Sequence, residues 1–474
     1  MQSTGVFNGI AKIAIYGLAL TMLGCTSNIQ YRTSFATTAP PGVITDAKAD
    51  PKAIIESSPP DYKIGYVEFD DQGWFWDTHQ RDYVEAMVRR EAGLPENPAD
   101  SSATTAPVKL SRGIILVTFV HGWKENAAYD GDGAASFRQI LFKLGEFEQK
   151  QANLPGGHPA RKVIGVYCGW RGLSATWEPF KELSIFERKD TAHKVGGYGA
   201  MTKLFTDLEN IQKDSLDSLE PDAPRTELII IGHSLGAGAV YSALSQIVTE
   251  RFATSIGRGK VNGSIKRLKP LGDQIILINP AFEAARHFDL YQMDQAIKEF
   301  PPDQRPVLSI FTSKTDWATH TVFPIYRFVA SLFDNFRPQE NGINQRSANL
   351  DTVGWYQPFI THELVYSKAI TYSTTRPGAI NTKAQLVEPS AEESLRNIKD
   401  QKAKWHPNGE VAQTYYFDHS ILKPTHFRPG SPLVVVSVDS QIMDGHDDYA
   451  NDRIVNFIRE YIEFCRVLPT DRLK

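Results

Sequence analysis

The stretch Leu228-Ile229-Ile230-Ile231-Gly232-His233-Ser234-Leu235-Gly236-Ala237-Gly238-Ala239 decides how this chain is read. Four branched aliphatic residues in a row suit a strand buried on both faces, as in a parallel sheet. They run straight into Gly-x-Ser-x-Gly. Small residues then open a helical pattern in which Val240, Tyr241, Leu244, Ile247 and Val248 step by three and four. A Gly-x-Ser-x-Gly pentapeptide alone is weak, since ordinary glycine and serine frequencies produce one in such a length roughly 0.15 times by chance. A strand before it and a helix after it make it specific. A sharp turn between the two strains the serine backbone and exposes its hydroxyl. Glycine belongs on either side, because a side chain there would collide with the neighbouring strand and helix.

Outward from this point the pattern repeats. Aliphatic runs at 114–120, 163–168, 275–278, 307–311 and 433–438 read as further strands, and 64–69 as another, followed by the turn Asp70-Asp71-Gln72-Gly73 and the aromatic Trp74-Phe75-Trp76. Phe137, Ile140, Leu141, Leu144 and Phe147 have helical spacing, as do Ile454, Val455, Ile458 and Ile462. Alternating strand and helix predicts an α/β fold, with a mostly parallel central sheet flanked by helices and right-handed crossovers. A polar patch at 96–105 reads as a loop. Two connections are far longer than a minimal crossover needs: about 60 residues from Cys168 to Leu228 and about 120 from Phe311 to Leu433. The corresponding insertions, 171–225 and 317–430, are expected to decorate one domain spanning 61–474. The second holds Phe323, Tyr326, Phe328, Phe333, Phe336, Trp355, Tyr356 and Phe359. That aromatic content predicts a cap over the site.

Composition narrows the function. Of 474 residues, 41% are hydrophobic and 22% charged, which excludes a disordered chain and a coiled coil. The net charge of −4 offers no basic excess to neutralise a nucleic-acid backbone. Three cysteines cannot build a disulfide framework, and Cys168 and Cys465, each in an apolar stretch, read as buried thiols. No His-Glu-x-x-His, paired Cys-x-x-Cys or dinucleotide fingerprint occurs. Asp130-Gly131-Asp132-Gly133 lacks the later ligands of a calcium loop and reads as a turn. Neither a metal nor a cofactor is expected.

Gly232-His233-Ser234-Leu235-Gly236 and its flanks resemble the nucleophile turn of the α/β-hydrolase superfamily, in the GHSLG form of lipases and esterases, and the resemblance extends over about 112–466. It implies a chain order of serine, acid and histidine. Ser234 is then the nucleophile. His121-Gly122-Trp123, after the 114–120 run, matches the turn that builds the oxyanion hole, which implies the backbone amides of Trp123 and Leu235 as donors. Asp316, just past the 307–311 strand, is the implied acid, with Glu283 and Asp439 as alternatives. His446, in Asp444-Gly445-His446-Asp447-Asp448 between the last strand and the last helix, is the implied base. His233 reads as structural, and His320, His362, His419 and His426 carry no assigned role. The resemblance implies a cofactor-free serine hydrolase that cleaves small-molecule or lipid carboxylic esters through an acyl-enzyme. An amidase or peptidase using the same triad, and a non-catalytic surface lipoprotein, are the alternatives.

The first residues carry an address. Lys12 precedes an uncharged run, 13–24, too short to span a bilayer but as long as the apolar region of a signal peptide. The run ends in Met22-Leu23-Gly24-Cys25, which resembles the lipobox of bacterial lipoproteins. This implies a signal peptide over 1–24, a lipid such as palmitate on Cys25, and a membrane-anchored place in the bacterial cell envelope. Thr26 in the next position favours the outer membrane. Residues 25–60, rich in Thr, Ala, Ser and Pro, are expected to form a flexible tether.

Overall fold

The computed structural model describes residues 26–43, 48–97, 109–176, 180–256, 267–301, 303–339, 342–368, 390–405, 414–426, 428 and 430–466. In chain order the strands are β1 (Ser34–Thr38), β2 (Ala53–Ser58), β3 (Tyr62–Glu68), β4 (Ile114–Val120), β5 (Lys162–Gly169), β6 (Glu227–His233), β7 (Gln274–Ile278), β8 (Leu308–Ser313), β9 (His362–Tyr366), β10 (Tyr415–Tyr416), β11 (Ser420–Pro424) and β12 (Leu433–Val438). The helices are α1 (Thr78–Glu91), α2 (Asp132–Ala152), α3 (Phe180–Gly197), α4 (Ala200–Ser218), α5 (Leu235–Ser255), α6 (Phe288–Ala296), α7 (Phe323–Ala330), α8 (Gln345–Leu350), α9 (Ala391–Ala403) and α10 (Asp452–Cys465).

All the strands join one sheet in the order β1-β2-β3-β5-β4-β6-β7-β8-β12-β9-β11-β10. From β3 to β9 every neighbouring pair is parallel, so the carboxyl ends of these strands emerge along one edge. The aliphatic runs explain this: every residue of β4 and of β6 is buried, as sheet centres covered on both faces require. One face packs Val84 and Met87 of α1, Leu204 and Phe205 of α4 and Leu244 of α5. The other packs Phe137 and Leu141 of α2 and Ile454, Ile458 and Tyr461 of α10. Asn451 starts α10 by accepting hydrogen bonds from the amides of Arg453 and Ile454. From β4 the chain steps one way to β5, then returns past β4 to β6. The loops after β4 and β6 therefore part above a crevice, the place where open α/β sheets bind ligands.

Two expectations change. Residues 26–60 are no tether across the part described: β1 and β2 extend the sheet beyond β3. The amides of Tyr31 and Arg32 donate to the Glu68 carboxylate, and the buried Arg32 lies over the Tyr66 ring at 3.8 Å and donates from Nε to the Ala127 carbonyl at 2.8 Å. Composition predicted looseness, but a few specific polar contacts and the buried Ala53, Ile54 and Ile55 order the segment. The 317–430 insertion is also more than a cap. It contributes β9, β11 and β10, which widen the sheet past β12, and among its described residues the first part stands above the crevice. The signal-peptide reading and Cys25 lie outside the described residues, as does most of the 96–105 patch.

Candidate active site

Ser234 sits between β6 and α5 with φ 55° and ψ −123°, a conformation an L-residue holds only when its surroundings impose it. Its amide donates to the Ile278 carbonyl at 3.0 Å, and its carbonyl accepts from the Ala281 amide at 3.2 Å, so the end of β7 clamps the turn from both sides. The flanking glycines are set by space. A Cβ on Gly232 would stand 2.7 Å from the Ala237 Cα, and one on Gly236 2.2 Å from the His121 carbonyl oxygen. Although Ser234 occupies the N-cap position of α5, its hydroxyl makes no capping bond. It bonds instead to Nε2 of His446 at 2.7 Å.

His446 lies in the loop between β12 and α10. Its backbone carbonyl is held by Nε2–H of His233 at 3.0 Å and by the Asn279 side-chain amide at 2.8 Å, which also reaches the Gly445 carbonyl at 3.2 Å. On its other side Asn279 accepts from the Ser313 amide at 2.9 Å, tying the end of β8 to the histidine loop. Nδ1 of His446 donates to Oδ2 of Asp316 at 2.9 Å. That assignment, made from the network, leaves Nε2 as the acceptor for the serine proton. Asp316 in turn accepts from the Thr319 hydroxyl at 2.5 Å and the Thr319 amide at 3.2 Å, and Trp355 donates to the Thr319 hydroxyl oxygen at 3.1 Å. A partly buried chain of hydrogen bonds thus runs from Trp355 of the insertion to Ser234.

Charge follows geometry. Burial pushes the Asp316 carboxyl up, but His446 and the Thr319 donors outweigh it and hold the group below the usual carboxylate range. Burial disfavours charge on His446, yet the hydrogen bond and charge of Asp316, with Asp447 adding to them, raise its pKa above the ordinary histidine value. His233 and His121 behave oppositely. Buried, they are pushed down to about 3 and about 4 and stay neutral.

His121 shapes the second half of the site. Its Nδ1 bonds to the Gly122 carbonyl at 3.0 Å while its Nε2 accepts from the Trp170 amide at 3.0 Å. In a trans peptide the carbonyl and the next N–H point opposite ways, so the Trp123 amide is turned away from His121. Gly122 runs against the serine: a Cβ there would lie 2.8 Å from the Ser234 Cβ. Among the described residues, the amides of Trp123 and Leu235 donate to no other backbone group. Leu235 opens α5, whose helix dipole puts partial positive charge at that end. The Trp123 side chain donates to the Ser184 hydroxyl of α3 at 3.3 Å, which brings that helix over the crevice.

The structure therefore brings Ser234, His446 and Asp316 into one hydrogen-bonded line and places the Trp123 and Leu235 turns beside it. The rival acids stand elsewhere. Glu283 pairs with Lys189 at 2.6 Å and Arg327 at 3.0 Å, and Asp439 accepts from the Gln441 amide in an exposed turn. Sequence reasoning missed Asn279, Thr319 and Trp355. Asn279, at φ 45° just past a strand, had a signal in its type, since asparagine tolerates the left-handed region. Nothing local marks Thr319, and Trp355 stood out only as one of the aromatic residues of the long insertion. Asp132 begins α2 rather than closing an ion loop. Among the described residues His233, His446 and Asp447 converge, with ligand atoms within 4.8 Å of one another. Both ring nitrogens of His446 and Nε2 of His233 are already committed to hydrogen bonds, which does not suit a metal. Cys168 and Cys465 are buried free thiols.

Residues 103–325 match a family described as alpha/beta hydrolase of unknown function, DUF900. The fold is that of an α/β-hydrolase. No curated protein matches the chain. Among solved structures it is similar to the phospholipase PlaB from Legionella pneumophila in complex with thio-NAD, at 12% identity over 53% of this chain and 45% of that one, with a TM-score of 0.22. It is also similar to a Trichoderma reesei cutinase bound to a phosphonate inhibitor, at 15% identity over 42% of this chain and 67% of that one, with a TM-score of 0.17. The match thus spans less than half the length of the Legionella phospholipase.

Proposed function

We propose that this α/β-hydrolase fold carries a serine hydrolase that cleaves carboxylic esters. The observation that supports it most is the line Ser234 Oγ–His446 Nε2, 2.7 Å, and His446 Nδ1–Asp316 Oδ2, 2.9 Å, at the carboxyl edge of a parallel sheet. As Oγ of Ser234 attacks the ester carbonyl carbon, Nε2 of His446 takes the hydroxyl proton. The carbonyl oxygen becomes an oxyanion, and the amides of Trp123 and Leu235 stabilise it. Collapse of this intermediate breaks the bond to the alkoxy oxygen, which leaves as the alcohol with the proton from His446. Water then attacks the acyl-serine while His446 accepts its proton, and the carboxylic acid departs with the serine hydroxyl restored. Asp316 holds the tautomer and stabilises the imidazolium.

We also propose that the protein is a lipoprotein of the bacterial cell envelope, held in the outer membrane by a lipid on Cys25. Support comes from the uncharged run before Cys25 and from Thr26 after it. Among the described residues no helix is long and apolar enough to cross a membrane.

Hydrolysis of p-nitrophenyl butyrate tests the first reading. Ser234→Ala should lower kcat by about 10⁴- to 10⁶-fold, because triad members act as a unit, with the thermal unfolding midpoint retained. Full turnover in that variant overturns the reading. For the second, Cys25→Ser should abolish metabolic palmitate labelling, and unchanged labelling overturns it.

A further inference from the structure

The helix that follows the acid loop is apolar on the wrong side. Phe323 of α7 is buried, Tyr326 stacks on Phe186 of α3 with ring centroids 4.2 Å apart, and Arg327 reaches Glu283. These contacts fix α7 over the crevice by its inner face. Its outer face carries Ile325, Phe328 and Val329, spaced by three and four as on a stripe meant for a core, and Leu332 and Phe333 follow in the turn beyond it. All five are exposed: Ile325 by 63%, Val329 by 61% and Phe333 by 97%. Trp317, beside Asp316, is exposed as well. A soluble surface rarely gathers so many large apolar side chains.

Three other features stand at the same edge. Thr26 donates from its amide to the Ser174 carbonyl at 3.0 Å, in the loop after β5. Thr26, the residue after Cys25 in the chain, therefore stands at the carboxyl edge of the sheet rather than at the end of a distant tether. Arg171 of that loop bonds the Thr26 carbonyl at 3.0 Å and pairs with Asp71. The exposed Trp74 projects from the loop after β3, at this edge too. From β5 to β8 the sheet crosses four strand spacings, about 19 Å at 4.8 Å each. Thr26 and the apolar stripe therefore flank the site along one edge.

We propose that this edge docks on a lipid bilayer, with Ile325, Phe328, Val329, Leu332 and Phe333 entering the interfacial layer, so that the site receives esters from membrane lipids. The substrate half rests on the hydrolase reading above, while the docking half stands without it. The stripe acts as an interfacial amphipathic helix lying in the membrane plane. The ordering of 26–43 and 48–60 holds Thr26 against the sheet, so a lipid on the preceding residue would press the domain to the surface rather than swing it on a long chain.

The test uses the full chain in phosphatidylcholine vesicles that contain doxyl-labelled lipid. A nitrobenzoxadiazole probe is placed on Phe333→Cys or, at the opposite edge ahead of β7, on Lys269→Cys. Quenching at position 333 should exceed that at 269 at least fivefold, and equal quenching overturns the docking. In a second arm, Ile325→Asp combined with Val329→Asp should lower the ratio of vesicle-lipid ester turnover to p-nitrophenyl butyrate turnover at least tenfold. An unchanged ratio overturns the proposal. If the unmodified protein cleaves neither ester yet position 333 is quenched, the hydrolase reading fails and the docking stands. A dimer in sedimentation that Phe333→Asp dissolves, without quenching at 333, assigns the stripe to a second copy and overturns the docking.

Discussion

The two edges of the sheet both bury charge, and they use it differently. At the amino edge, Glu227 of β6 pairs with Arg161 at 2.9 Å and accepts from Arg466 at 3.0 Å, while Arg161 also bonds Glu148 at 3.0 Å. At the carboxyl edge of the same strand, Ser234 meets His446 and Asp316. Burial pushes Glu227 up, but the arginines outweigh it and hold the group at about 2. Each of these four charges has a permanent opposite, so none among them is left to react. At the other edge Asp316 is paired with a histidine whose second nitrogen faces the Ser234 hydroxyl, an arrangement in which, on the proposed reading, a proton moves. Buried charge becomes chemistry where one member of the set is left with a neutral partner.

The comparison can be broken most severely at Asp316. Asp316→Asn keeps the shape but favours the wrong imidazole tautomer, so kcat should fall about 10³- to 10⁴-fold. Steady-state turnover of p-nitrophenyl butyrate measures it. At the amino edge, Glu227→Gln should leave kcat alone and cost about 3 to 5 kcal/mol of stability, since it strands buried arginine charge. Urea unfolding measures that. The wild-type pair contributes stability that is complete above the ordinary glutamate range and is lost as pH falls towards about 2.

Smaller effects sharpen the carboxyl edge. Asn279→Gly suits the backbone at φ 45° while removing the amide that holds the His446 carbonyl. Three side-chain hydrogen bonds are lost, and about 1.4 kcal/mol of that positioning felt in the transition state lowers kcat about tenfold, with KM little changed. The acid limb of kcat/KM should lie above 6.5, because the folded pKa of His446 is raised. The stability of its pair with Asp316 is complete below 6.5 and lost as pH rises through the raised value, and that same deprotonation makes the base competent. Asp447→Asn should move the limb to lower pH, as a pH–rate profile would record.

Much of this was legible in the residues because parallel strands buried on both faces spell themselves out. The 114–120 and 433–438 runs coincide with β4 and β12, and the helical stripes on α2, α5 and α10 had clear periods. The site was legible where its residues follow strand ends: Ser234, Asp316 and His446 are each placed by the strand before them. What failed was whatever depends on a distant partner. Ser34–Thr38 becomes a strand because β2 and β3 offer an edge, and Arg32 is buried because Glu68, Ala127 and Tyr66 wait for it. Outlying strands such as β9 and β11, though paired on both sides, lack the long aliphatic runs that mark the central ones. Thr319 and Trp355, 36 positions apart, meet only in the fold.

Fluorophosphonate labelling followed by peptide mass spectrometry tests the central claim most directly. An activated serine 2.7 Å from a histidine should take the probe, so one adduct is expected, on the peptide containing Ser234, and it should vanish in His446→Ala. No adduct, or an adduct on another serine that survives in that variant, would contradict the account.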